Sequence, residues 1–219
     1  MLALNEQAPT VLRTNSLKTT PRELIADLND ENVEAFTIKN YPDAVQLAEK
    51  KNVFLTSAFK DGLFEVQDAS SQKIGELLDV KEGMRVVDAC AGAGGKTLHL
   101  AALMKNKGQI IALDIYEWKL AELKRRAKRA GAHNIETRLI SDNKVIKRLH
   151  EKADRLLIDA PCSGLGVLKR NPDSKWKIDQ DFIDRIKGEQ QQILQDYSKI
   201  LKKGGQMIYA TCSILPSEN

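Results

Sequence analysis

The chain has 219 residues, enough for one sizeable core or one domain with a small appendage, and 34 Lys and Arg against 30 Asp and Glu leave a net charge of +4. That balance is compatible with a polyanionic partner without requiring one, and three cysteines with no short-range pair argue against a disulfide scaffold or a zinc ribbon. No stretch approaches the ~20 apolar residues of a membrane span, so a soluble protein in a reducing, cytoplasmic setting is expected.

Residues 9–66 read as a small α/β unit. The run VLRTN suits a short strand; Thr20 then caps a helix that Pro21 opens, with Glu23 reaching back to the cap amide, and this helix should run to about Leu28. Short β-like runs follow at 53–55 and 34–38, and 64–66 closes the unit after the turn residues Asp61-Gly62. In QDASSQKIGELL, Ile74, Leu77 and Leu78 make one apolar helix face that ends before Gly83.

From residue 84 strands and helices alternate, the pattern of a parallel sheet with crossover helices. Candidate strands are 85–89, 109–113, 136–140, 155–158 and 206–210. The helix after Asp114 carries Leu120, Leu123, Ala127 and Ala130 on one face and stops at Gly131. A long helix over 179–201 should stop at Gly204-Gly205. The basic stretch 119–129 lies off the apolar face and reads as a solvated surface before an RNA patch.

The segment VVDACAGAGGKT is a strand running into a glycine-rich turn and a helix. It is no P-loop, because Cys90 stands where the first glycine is required, and it lacks the sixth-place glycine of a strict dinucleotide fingerprint. A looser cofactor loop remains, with Asp114 ending the next strand where a carboxylate can accept from ribose hydroxyls. Asp88, Asp142 and Asp159 also fall near strand ends, although Asp142 reads equally as a helix cap. Cys90 reads as a small hydrophobe, whereas Cys162 and Cys212 each lie just past a strand end beside Pro, Ser or Thr, which favours reactivity. Lys169 and Arg170, with Trp176 close behind, form a loop suited to RNA phosphate and a stacked base. His99, His133 and His150 have no metal-ligand spacing.

In VQDASSQ, DACAGAGGKT, LDIYEWKL, DAPCSGLG, RNPDSKW and ATCSILPSEN, spread in order over 66–219, the chain resembles the Sun/Fmu-type RNA (cytosine-5) methyltransferases, most closely the bacterial branch acting on small-subunit ribosomal RNA. The upstream LRTNSLKTTPREL also looks like that family's segment before the catalytic domain, and Ala91-Gly92-Ala93-Gly94 departs from its commoner Ala-Ala-Pro-Gly turn.

The resemblance implies a class I, Rossmann-like α/β sheet over 67–219, preceded by an RNA-binding-type α/β module over 1–66. It implies S-adenosylmethionine held by Cys90, Ala91, Gly92, Ala93, Gly94, Gly95 and Lys96, with Asp114 on the ribose, Asp142 near the adenine and Asp159 between cofactor and base. It makes Cys212 the nucleophile, Cys162 the thiol that assists product release, and ribosomal RNA the partner, with transfer RNA as an alternative. A DNA-type enzyme would instead attack through Cys162, an amino-group methyltransferase would need no thiol, and a noncatalytic RNA-binding or assembly factor would lack cofactor binding. The family's fold adds two strands beyond the fifth, so C-terminal strands are expected to be missing here.

Overall fold

The computed structural model describes residues 6–219 and contains two β-sheets. The first comprises β1 (Val11–Thr14), β2 (Ala35–Ile38), β3 (Tyr41–Leu47) and β4 (Phe64–Val66), antiparallel in the order β2-β3-β1-β4. Helix α1 (Pro21–Asp30) packs on it, and α2 (Ser57–Lys60) precedes β4. The start of α1 is the expected capping box: the Glu23 amide donates to Thr20 Oγ1 and the Thr20 amide donates to the Glu23 carboxylate. Leu24 and Leu28, one turn apart, bury against Leu12, Val45 and Phe64.

Two expectations for this region change. Strand β3 has no counterpart among the expected strands because Pro42 and Asp43 interrupt its pattern. They fall where the β2–β3 register shifts between Thr37 and Ile38, an irregularity that tolerates proline. Residues 53–55 form a 3-10 turn rather than a strand, capped by Asn52 and burying only Val53; three apolar residues carry no period that separates the two.

Helix α3 (Ala69–Leu77) leads to the second sheet. Leu78, past its end, is fully buried while Leu77 is 65% exposed, so the expected face of Ile74, Leu77 and Leu78 is broken by the turn at the helix end. The second sheet holds β5 (Arg85–Asp88), β6 (Gln109–Asp114), β7 (Ile135–Leu139), β8 (Ala153–Asp159) and β9 (Leu201–Ala210), all parallel in the order β7-β6-β5-β8-β9. Alternating side chains serve its two faces. Val86, Ile110, Ala112 and Leu157 pack with α4 (Gly95–Leu103) and α5 (Glu117–Ala130), whereas Val87, Ile111, Leu113 and Leu156 pack toward α6 (Asn143–Lys147). The loop after β8 contains α7 (Ser174–Lys177) and leads into α8 (Gln180–Tyr197), which also covers the second face. Strand order reverses at β5, and in such sheets ligands bind in the crevice beyond the strand ends at that point.

The long helix stops at Tyr197, short of the expected 201, and a 3-10 turn leads directly into β9. Gly204-Gly205 lies inside β9, opposite the register shift between Ala153 and Arg155, so these glycines mark a bulge rather than a helix end. Gly204 has φ +77°, and a Cβ on Gly205 would come within 3.0 Å of the Asp154 carbonyl oxygen. Helix α5 buries the expected Leu120, Leu123, Ala127 and Ala130 and ends at left-handed Gly131. Its charged side is not simply solvated, however, because Arg126 and Arg129 pair with Glu65 of the first sheet. Among the described residues, no helix is long and apolar enough to cross a membrane.

Candidate active site

Because β5, β6, β8 and β9 run parallel, their carboxyl ends deliver Asp88, Asp114, Asp159 and the turn holding Cys212 to one edge of the sheet. The glycine-rich turn leaves β5 here, anchored by the Ala91 amide on the Leu113 carbonyl at 2.8 Å. Gly94 has φ +86°, and a Cβ there would lie 2.5 Å from Leu123 Cγ, so the turn requires glycine for both conformation and space. Asp114 is buried; its Oδ2 accepts from the Gly92 amide at 2.9 Å and its Oδ1 from the Tyr116 amide at 2.8 Å. Each oxygen keeps a lone pair for a further donor.

A cleft of about 300 Å³ opens over this turn, with Asp114, Gly92 and Cys90 on one side and Ile115, Tyr116 and Ile140 supplying apolar wall. An adjoining compartment of about 200 Å³ is lined by Asp88, Gly95, Lys96 and Asp159. Cys90 and Asp159 border both. Lys96 Nζ meets Asp159 Oδ2 at 2.5 Å, so this lysine orients the carboxylate. Asp88 Oδ2 accepts from Thr97 Oγ1 at 2.7 Å, but its buried Oδ1 has no hydrogen-bond partner of ordinary geometry among the described residues. Burial pushes the Asp88 carboxyl up to about 7 against the opposing Thr97 hydrogen bond. Burial likewise pushes the Cys90 thiol above its ordinary range, as befits an inert cleft-wall residue.

Beside the cleft, whose rim includes Pro161, Cys162 Sγ and Cys212 Sγ lie 2.8 Å apart. The Cys212 amide also donates to Cys162 Sγ at 3.1 Å. Hydrogen bonding from the Cys212 thiol draws Cys162 down to about 7, and the same bond pushes Cys212 above the usual thiol range. The pair therefore releases one proton readily and holds the second.

Other expected site residues stand apart from this centre. Asp142 is exposed and caps α6, accepting from the Lys144 amide at 2.7 Å; the cleft wall nearest it in sequence is Ile140. Arg170 forms a two-pronged pair with Asp68, at 2.5 and 2.6 Å, and Lys169 lies 3.3 Å from Glu6. Conversely, sequence reasoning passed over the groups that brace the glycine turn from behind. Arg13 of β1 donates to the Gly95 carbonyl at 2.5 Å, and Arg126 donates to the Ala93 carbonyl at 2.7 Å. Glu65 of β4 pairs with both Arg126 and Arg129.

The order reversal at β5, the glycine turn and the carboxylate closing the next strand define a class I, Rossmann-like methyltransferase fold. The family model described as "16S rRNA methyltransferase RsmB/F" matches residues 75–219, and one described as "Methyltr_RsmF/B-like, ferredoxin-like domain" matches residues 1–54. The chain belongs to this RsmB/F family. It is 36% identical over 217 residues to the ribosomal RNA small subunit methyltransferase B of Proteus mirabilis, covering 98% of this chain and 51% of that protein. To the probable ribosomal RNA small subunit methyltransferase B of Bacillus subtilis it is 37% identical, covering 95% of this chain and 46% of that one. The chain thus spans about half the length of the curated relatives it matches. The crystal structure of PH0851 superposes with a TM-score of 0.95 at 35% identity, covering all of this chain (100%) and 50% of the other. NSun6 from Pyrococcus horikoshii, solved with SFG, shares the fold at a TM-score of 0.89 and 21% identity, covering 99% of this chain and 79% of that one.

Proposed function

We propose that the chain transfers a methyl group from S-adenosylmethionine to carbon 5 of cytosine in RNA, and that the RNA is small-subunit ribosomal RNA. The observation that carries this reading is the contact between two thiols at the ends of adjacent strands, beside a cleft suited to a nucleoside. Family membership and the names of its relatives support the RNA class.

The residues present fit the cofactor. Asp114 keeps acceptors for ribose hydroxyls, Ile115 and Ile140 offer apolar surface to a purine, and Asp88, whose buried Oδ1 is unpartnered among the described residues, lines with Lys96 a polar compartment suited to an amino-acid tail. Residues 90–96 would hold that tail. When bound, the cofactor supplies an electrophilic methyl group.

Carbon 5 of cytosine is too electron-poor to attack such a methyl group unaided. Cys212 adds to carbon 6, passing its proton along the contact to Cys162, and carbon 5 becomes nucleophilic. Asp159, oriented by Lys96, donates to ring nitrogen 3 when its carboxyl carries a proton, and so supports the charge that develops on the ring as Cys212 adds. After transfer the carbon 5 proton passes to water, and its C–H electron pair re-forms the carbon 5–carbon 6 double bond and expels Cys212 as the thiolate. Cys162 returns to that thiolate the proton it had taken, so the net proton of the reaction goes to solvent. The base must leave any stack, so single-stranded or flipped RNA is the substrate. The module over 1–66 and the loop at Lys169 and Arg170 contact that RNA, Arg170 exchanging Asp68 for phosphate. A reducing cytoplasm keeps both thiols free.

The test is mass spectrometry of nucleosides from ribosomal RNA incubated with the protein and isotope-labelled S-adenosylmethionine. Labelled 5-methylcytosine is expected; label on an exocyclic amine, or none on RNA, refutes the reading.

A further inference from the structure

A cluster of buried polar groups fastens the two cysteine turns together. Glu218 is 3% exposed, and its carboxylate accepts from the Ser163 amide at 2.9 Å and the Ser163 hydroxyl at 2.6 Å. Ser163 directly follows Cys162. Its hydroxyl lies 3.0 Å from that of Ser213, which directly follows Cys212. On the other side of Cys162, buried Gln190 of α8 donates to the Pro161 carbonyl at 2.9 Å. The Gly166 amide donates to the Cys212 carbonyl at 2.8 Å, and a Cβ on Gly166 would stand 2.7 Å from that oxygen.

A carboxylate is costly to bury unless its hydrogen bonds are satisfied. Among the described residues, the carboxylate of Glu218 takes its hydrogen bonds from Ser163 and Ser213 of the cysteine turns and from the Gln190 side chain rather than from a cation. Its charge also opposes thiolate formation at Cys162, so favouring that thiolate, the acceptor of the Cys212 proton, does not explain its place. Geometry does, because holding the residue after each cysteine fixes the separation of the sulfurs.

We propose that Glu218 is a positioning residue for methyl transfer, its carboxylate locking the turns after Cys162 and Cys212 so that the two thiols stay in contact. This rests on the methyltransferase reading above.

The experiment compares Glu218→Ala and Glu218→Gln with the unaltered chain in two measurements. One is the rate at which diamide, without RNA or cofactor, closes a Cys162–Cys212 disulfide, followed by peptide mass spectrometry. The other is single-turnover methyl transfer as a function of RNA concentration. Glu218→Ala should slow disulfide closure about tenfold and cut the maximal transfer rate by roughly 10- to 100-fold, the scale for a misplaced reacting group, with half-saturating RNA and cofactor affinity unchanged. Glu218→Gln keeps an acceptor for the Ser163 amide and a partner for its hydroxyl while removing the charge, and should restore most of both rates. Wild-type rates in Glu218→Ala overturn the proposal. So does a Gln variant as impaired as Ala, or a loss of rate that tracks lost cofactor binding and a lowered melting temperature. If the unaltered chain makes no 5-methylcytosine, the methyltransferase reading fails, while disulfide closure still decides whether Glu218 holds the cysteines together.

Discussion

Replacing Glu65 with Ala should destabilise the fold and loosen the cofactor turn together. The Glu65 side chain is 5% exposed and accepts from Arg126 at 2.8 Å and Arg129 at 2.5 Å, both of which are themselves largely buried. Arg13 stands in the same field: burial draws it down to about 10, and Glu65 is the largest influence opposing that shift. Without the carboxylate, three guanidinium groups share a poorly solvated space. Removing one partner of a buried ion pair costs about 3–5 kcal/mol. For a chain of this size each kcal/mol moves the melting temperature by roughly 2–4 °C, so a fall on the order of 10 °C is expected by calorimetry or circular dichroism. Because Arg126 also holds the Ala93 carbonyl at 2.7 Å, S-adenosylmethionine affinity should drop about tenfold in a calorimetric titration, the scale of one charged hydrogen bond. An unchanged melting temperature would refute the buried network. A lowered melting temperature with unchanged cofactor affinity would refute its link to the turn.

Asp114→Ala removes acceptors for ribose hydroxyls as well as the anchor of Gly92, and should weaken cofactor binding by about 1–3 kcal/mol; equal affinity by calorimetry would count against the cofactor assignment. Cys212→Ala should abolish methylation and any covalent protein–RNA adduct, while Cys162→Ala should leave an adduct that survives denaturing electrophoresis; the reverse pattern assigns the nucleophile to Cys162. Cys212→Ala should also raise Cys162 from about 7 back toward 9.0, read by thiolate absorbance, and a titration that does not move denies the thiol–thiol hydrogen bond. Asp88, raised from 3.8 to about 7, binds an extra proton in the folded state, so its stabilisation is complete below 3.8 and lost as pH rises through 7. At about 1.4 kcal/mol per unit, stability relative to Asp88→Asn should fall by roughly 4 kcal/mol across that window in urea denaturation, and parallel curves for the two proteins would refute the shift.

The elements that follow from neighbours along the chain were legible in the sequence. The Thr20 and Glu23 cap, the buried stripe of α5 with Gly131 at its end, and the strand ends at Asp114 and Asp159 all depend on periods and turn chemistry acting over a few residues. Short-range patterns fail where a residue has two local meanings. Gly204-Gly205 reads as a helix stop, and only its pairing opposite Ala153 and Arg155 makes it a bulge in β9. Arg126 flanks the apolar stripe of α5 and reads as a solvated charge until Glu65, 61 positions earlier and on another sheet, is packed against it. The thiols sit in recognisable strand-end turns, yet their contact across 50 positions exists because β9 pairs with β8, and Glu218 gains its place only through that pairing. Local sequence sets backbone conformation and which way a side chain faces; the partner of a buried charge or thiol is set by strand order and by the closing of the two sheets upon each other, which no short window of sequence contains.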